Sequence, residues 1–304
     1  MATQRISQVL QVGIVIVVIA TGALSLSLLN GGLHQKFAIK KPTDKSVKGG
    51  SNSATSQNVT PAKNLIVEVP KPFQRQTIYQ AKLKATEKVI ALTFDDGPGP
   101  KNTVQVLEIL KKNHIKATFF VLGEMVQAYP QIAKQVVADG HDLGNHTWHH
   151  WYRQMDTATA ASEIDRTADI IYKTTGVKTA LFRPPGGYLH NGLADYAKNQ
   201  NYAVMMWSSL SGDADRHSPQ VAGMIKNVVN AAKPGSIVLM HDGGGNHSRT
   251  VKALPGIIAG LKAKGYKCVT VSELLEMQAK EEATAMKALP AVTKNEPANN
   301  QPHQ

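Results

Sequence analysis

Val89-Ile90-Ala91-Leu92-Thr93-Phe94-Asp95-Asp96-Gly97-Pro98 decides the fold class. A β-rich run at 89–94 ends in two carboxylates and a turn, and a helical pattern at 102–113 follows. The same unit recurs along the chain. Further β-rich runs lie at 117–121, 141–144, 179–182, 202–207, 236–240 and 267–271. Helical stretches at 130–139, 157–175, 191–199, 219–232, 250–264 and 272–279 follow most of them. Gly140, Gly176 and Gly265 each come after a helical stretch, where a left-handed cap is expected. Alternation of this kind predicts a parallel sheet covered by helices, either a barrel or an open doubly wound sheet.

The residues able to carry chemistry fall just after strands. Asp95, Asp96, His146, Arg183, Asp213 and His241 all do so. On a β/α barrel such positions converge at one face, so a single pocket can collect them. Asn145-His146-Thr147-Trp148-His149-His150 supplies imidazoles at i and i+4, close enough on a helical turn to share a metal. His149 is the weakest ligand candidate of the three. Asp95 and Asp96 leave the strand in different directions, so one can serve a metal and the other a water. One Asp and two His make a three-ligand set with an open position, and the remaining Asp and His suit a general base and a general acid. Together the motifs point to metal-assisted hydrolysis. Read singly, Asp-Gly-Pro is an ordinary turn, the His-Trp stretch a polar surface patch, and Phe182-Arg183-Pro184-Pro185-Gly186-Gly187 a rigid loop with a surface Arg.

The bulk numbers set bounds. A chain of 304 residues, 42% hydrophobic, allows one large domain or two small ones. Cys268 is the one cysteine, which rules out an intramolecular disulfide and a thiolate cluster. A net charge of +12 suggests an anionic partner such as a membrane surface or a wall polymer. Nucleic acid is not expected, because no recognised nucleic-acid module or basic-aromatic stripe is present. No Gly-Lys phosphate cradle argues for a phosphoester substrate.

The apolar run at 12–29 reads as a signal anchor or a signal peptide, with residues 1–33 as cytoplasmic stub plus targeting segment. Either reading exports the rest of the chain. Residues 34–86 read as a flexible basic linker, 87–280 as the catalytic domain and 281–304 as a disordered tail.

Thr93-Phe94-Asp95-Asp96-Gly97-Pro98, His146-Thr147-Trp148-His149-His150, the Arg183 loop, the Asp213 loop and Leu239-Met240-His241, in this order, resemble the NodB-homology polysaccharide deacetylases, carbohydrate esterase family 4. The resemblance implies an irregular seven-stranded β/α barrel. It implies removal of acetyl groups, either N-acetyl from chitin-like or peptidoglycan sugars or O-acetyl from xylan. By position, Asp95 resembles the general base, tethered by Arg183, and Asp96, His146 and His150 the metal ligands. His241 resembles the general acid, oriented by Asp213. The backbone of Gly186 would help hold the oxyanion, Leu239 would line the acetyl pocket, and Trp148 is a substrate-binding candidate. The implied cofactor is a divalent cation, Zn2+ first, with Co2+, Ni2+ or Mn2+ as alternatives. The implied partners are an N-acetylated polysaccharide and, through the N-terminus, a membrane. The chain departs from the family pattern at Gly186, where an aromatic is usual, and at Leu210 and Ala214, where Asp and Trp are usual. Those departures motivate a rival reading, a carbohydrate-binding protein on the same barrel without catalysis.

Overall fold

The computed structural model describes residues 65–288. Its strands, in chain order, are β1 (Leu65–Val67), β2 (Thr77–Ile78), β3 (Val89–Asp95), β4 (Thr118–Val121), β5 (Asp142–Asn145), β6 (Val177–Thr179), β7 (Leu181–Phe182), β8 (Ala203–Met205), β9 (Ser209–Leu210), β10 (Ile237–His241) and β11 (Lys267–Val269). Its α-helices are α1 (Asn102–Asn113), α2 (Gly123–Ala128), α3 (Pro130–Ala138), α4 (Thr157–Thr175), α5 (Leu193–Asn199), α6 (Val221–Ala231), α7 (Ser248–Ala263) and α8 (Val271–Ala288).

Nine strands form one curled parallel sheet in the order β2-β8-β7-β5-β4-β3-β10-β9, with β11 on the N-terminal half of β3. β1 and β6 pair separately, also in parallel. The ladder is open between β2 and β9, while an isolated bridge joins Gln80 to Ser236 beside β10. The result is an irregular half-barrel of parallel strands rather than seven regular ones. The difference lies in short strands. The run expected at 179–182 is divided between β6 and β7, β9 follows the run expected at 202–207 as a strand of its own, and β1 and β2 were not expected.

β3 is buried along its whole length, as a strand covered on both faces must be. Its side chains alternate. Ile90, Leu92 and Phe94 pack outward with Val106 and Leu110 of α1 and Leu254 and Ile258 of α7. Val89 and Ala91 face inward, with Phe120, Leu181, Met205 and Ile237. The same period turns Thr93 and Asp95 inward, which aims the first motif at the barrel mouth.

Two expected boundaries need correction. Residues 65–86 are not linker-like. They carry β1, a 3-10 turn at Lys71–Phe73 and β2, and Val69, Phe73, Ile78 and Ala81 are buried against Leu274 and Leu275 of α8. At the other end α8 continues past residue 280 to Ala288. The apolar run at 12–29 and the last residues of the expected tail lie outside the described residues. Among the described residues no helix is long and apolar enough to cross a membrane.

Candidate active site

Neighbouring strands deliver the site. β3 and β10 lie side by side with Asp95 opposite His241. β5 and β7 pair at Asn145 and Phe182, so His146 and Arg183 emerge together. β9 flanks β10 and sends Asp213 back toward His241. Asp95, Asp96, His146, His150, Gly186, Leu239 and His241 line one cavity of about 470 Å3.

Ligand atoms of Asp96, His146 and His150 all lie within 4.8 Å of one another. His146 Nε2 and His150 Nε2 stand 3.4 and 3.2 Å from Asp96 Oδ1. His146 Nδ1 lies 2.7 Å from the Arg183 carbonyl oxygen and donates to it, which leaves Nε2 as the electron-pair donor facing Asp96. Asp96 Oδ1 is buried and accepts no hydrogen bond. Burial opposes ionisation of Asp96, yet His146, His150 and His241 lower its pKa. Burial likewise opposes a charge on His146, yet Asp95 and Asp96 raise its pKa. The spot therefore favours positive charge, and a divalent cation fits the donor set.

The spacing of the two His does not come from a helix, as the sequence suggested. Residues 146–150 form a loop in which Thr147 and His150 have φ of 72° and 60°. Such values are strained for a β-branched residue. Asn145 Oδ1 holds the Thr147 amide at 2.9 Å and Thr147 Oγ1 holds the His150 amide at 3.1 Å. Close approach by glycine completes the shell, since a Cβ on Gly244 would meet Asp96 Oδ2 at 2.5 Å.

Arg183 is fully buried and pins Asp95. Its Nη1 donates to Asp95 Oδ1 at 2.7 Å and Thr93 Oγ1 at 2.8 Å, and Nε donates to the Met205 carbonyl at 3.0 Å. Asp95 Oδ2 is left toward the cavity, 3.7 Å from His146 Nε2. His241 Nδ1 donates to Asp213 Oδ1 at 2.9 Å, while Asp213 Oδ2 accepts from the His241 amide and Thr250 Oγ1, each at 2.8 Å. Burial works against a charge on His241, but Asp213, with Asp95 and Asp96 further off, lifts its pKa to about 9.

Trp148 does not fit the substrate-binding expectation. It is buried, its ring lies 3.5 Å beneath the Arg166 guanidinium, and it packs on Gly123, so it braces the loop from behind. His149 turns away to Glu163, whose carboxylate also accepts the Trp148 and His149 amides. Several pocket residues escaped the sequence reading, Gly244 and Asn246 among them. Tyr152 and Trp207 line the cavity, and His247 stacks on His241 at 5.4 Å with its Nδ1 3.7 Å from Asp213 Oδ2. His247 follows β10 after a Gly-rich turn, the same after-strand placement that marked the others, but it belongs to no quoted motif.

Residues 82–205 match the family model described as polysaccharide deacetylase. The chain is 43% identical over 194 residues to a peptidoglycan-N-acetylglucosamine deacetylase of Bacillus cereus, covering 62% of this chain and 89% of that one. Among solved structures, the Bc1960 peptidoglycan N-acetylglucosamine deacetylase is similar at TM-score 0.62 and 31% identity, covering 67% of this chain and 94% of that one. A carbohydrate esterase family 4 pseudoenzyme from Bacillus anthracis, BA3943, is similar at TM-score 0.60 and 30% identity, covering 67% and 70% of the two chains.

Proposed function

The chain belongs to the polysaccharide deacetylase family, and from that premise we propose that it hydrolyses the N-acetyl groups of an extracellular N-acetylglucosamine-type polysaccharide, releasing acetate. Peptidoglycan is the first substrate, as it is in the name of the Bacillus cereus relative, and a chain of charge +12 suits an anionic wall. The apolar run at 12–29 supports an extracytoplasmic site of action, with the enzyme anchored or secreted.

One observation carries the reading. The Asp96-His146-His150 cluster, the Arg183-held Asp95 and the Asp213-held His241 share a single cavity. Asp96, His146 and His150 would hold a divalent cation, Zn2+ first given two imidazoles and one carboxylate. Bound there, the cation supplies Lewis acidity to the acetyl carbonyl and to a water. Asp95 Oδ2 takes the proton as that water attacks the carbonyl carbon. Arg183 keeps the carboxylate oriented. Gly186 and Leu239 line the cavity, where the Gly186 amide would donate to the oxyanion and Leu239 would shelter the acetyl methyl. His241 Nε2 then gives a proton to the departing amine nitrogen as the C–N bond breaks. A His held in its acid form by Asp213 suits an amine, which leaves only when protonated.

The test is acetate release by residues 65–288 from N-acetylglucosamine oligomers, peptidoglycan and acetylated xylan. It is run with added Zn2+, with chelator, and with Asp95→Asn. Release that requires metal, and that falls roughly 10²- to 10⁴-fold in Asp95→Asn, is expected. No release by protein shown to contain metal would sink the reading in favour of a non-catalytic one.

A further inference from the structure

The loop that carries His146 and His150 holds itself at its ends and is held by α4 in its middle. Thr147 and His150 lie in the left-handed region, a costly conformation for residues other than glycine. Such a conformation persists only where the surroundings over-determine it. Asn145 and Thr147 fix the two ends through their own side chains. Between the ends, the amides of Trp148 and His149 both donate to Glu163 Oε2, at 3.1 and 2.8 Å. His149 Nδ1 stands 2.5 Å from Glu163 Oε1, so three nitrogens of the loop converge on one carboxylate.

Glu163 lies midway along α4 and is 2% exposed. The same stretch of helix grips the loop twice more. The Ile164 carbonyl accepts from Asn145 Nδ2 at 2.8 Å, and the Arg166 guanidinium covers the Trp148 ring. A carboxylate out of water needs its lone pairs filled, and buried amides need an acceptor. Each side of the contact supplies what the other lacks. Without Glu163, two amides and a ring nitrogen lose their acceptor. The loop would recover one only by turning its peptides, and the peptides that turn are those between the two His.

We propose that Glu163 is a positioning residue of the metal site, fixing the Trp148–His149 backbone and so the spacing of the His146 and His150 imidazoles. It acts on the metal reading above, in which Asp96, His146 and His150 are the ligands. His146 has an orienting contact of its own, from Nδ1 to the Arg183 carbonyl. His150 takes its place from the loop, so it is the ligand that Glu163 governs most. Glu163 touches neither imidazole, and its effect on the metal passes entirely through the backbone between them.

The full chain is compared with Glu163→Ala, Glu163→Asp and Glu163→Gln. Zn2+ affinity is read by competition with a chromogenic chelator, and melting is followed in the metal-free and Zn2+-loaded states. Glu163→Ala should bind Zn2+ roughly 10- to 100-fold more weakly, the usual loss when a group that orients metal ligands is removed. Glu163→Asp keeps the charge but falls one methylene short of the loop, and should also be weakened. Glu163→Gln keeps an oxygen for both amides and should restore affinity toward that of the wild type. The rise in melting temperature on adding Zn2+ should shrink in the same order as the affinity. A folded Glu163→Ala or Glu163→Asp with wild-type Zn2+ affinity overturns the proposal, even where its metal-free form melts early, because Glu163 would then serve the fold alone. Glu163→Gln as weak as Glu163→Ala overturns it too, since the amides would not be what Glu163 holds. If Glu163→Ala does not fold, Glu163→Asp and Glu163→Gln decide between these outcomes. A wild type that binds no divalent cation overturns the metal reading itself.

Discussion

A group that donates a proton to a departing amine must still hold that proton at the pH where the amine leaves. His241 meets this demand against its surroundings, because burial favours the neutral ring and only the Asp213 carboxylate, with Asp95 and Asp96 behind it, reverses the balance. Asp213 is committed to the task, since one oxygen takes the imidazole and the other takes the His241 amide and Thr250. Asp213→Asn keeps the shape and removes the charge. With His241 as the proposed general acid, its acid form is the active one, and activity is expected to fall as pH rises through its pKa. Lowering that pKa moves the alkaline limb of the rate profile toward neutral, and activity on the alkaline side should drop by roughly 10²- to 10⁴-fold. A pH profile of acetate release whose alkaline limb stays put in Asp213→Asn would refute the assignment. The sequence made Asp213 and Arg183 readable because each follows a β-rich run. It did not make Trp148 readable, because whether a loop Trp faces substrate or Arg166 depends on how α4 packs.

Elements with local determinants were readable, and those with tertiary determinants were not. The pattern at 157–175 marks α4 to its last residue, since Gly176 follows at φ 76° as its left-handed cap and donates to the Tyr172 carbonyl. Gly176→Ala forces a side chain into that conformation and should cost about 1 kcal/mol. Urea unfolding checks it through a lower midpoint at unchanged slope. An unchanged midpoint would mean that α4 can end otherwise. The His146–His150 loop shows the opposite case. Its i, i+4 spacing imitates a helical turn, but its shape is imposed by Asn145, by Thr147 Oγ1 and by the Gly123 amide, which donates to the Thr147 carbonyl at 3.0 Å. No local pattern encodes those contacts. β7 and β9, two residues each, are likewise too short to show a period and exist because neighbouring strands pair with them.

At the scale of the molecule, the half-barrel must be closed below as well as opened above. The proposed catalytic groups occupy the ends where the strands finish. Toward the other end the inward faces of Val89, Ala203 and Ile237 share one cluster with Val69, Phe73 and Ile78 from before β3 and Leu274 and Leu275 from α8. The Lys82 amide also donates to Gln278 Oε1 at 2.8 Å, tying the two segments together. The sequence hid this because the apolar residues of 65–86, from Leu65-Ile66-Val67 and Val69 to Phe73, Ile78 and Ala81, are broken up by Pro70, Pro72, Lys71, Arg75 and Lys82 and hold no single period. A domain cut at residue 87 therefore lacks part of its core. Burial of Val69, Phe73 and Ile78 contributes about 1.5–3 kcal/mol each, and whole domains hold only about 5–15 kcal/mol. Residues 65–288 should unfold in one cooperative transition. Residues 87–288 should melt many degrees lower or aggregate, with the metal-ligand residues intact. Equal melting temperatures for the two fragments would show that the N-terminal segment merely rests on the barrel and does not help to close it.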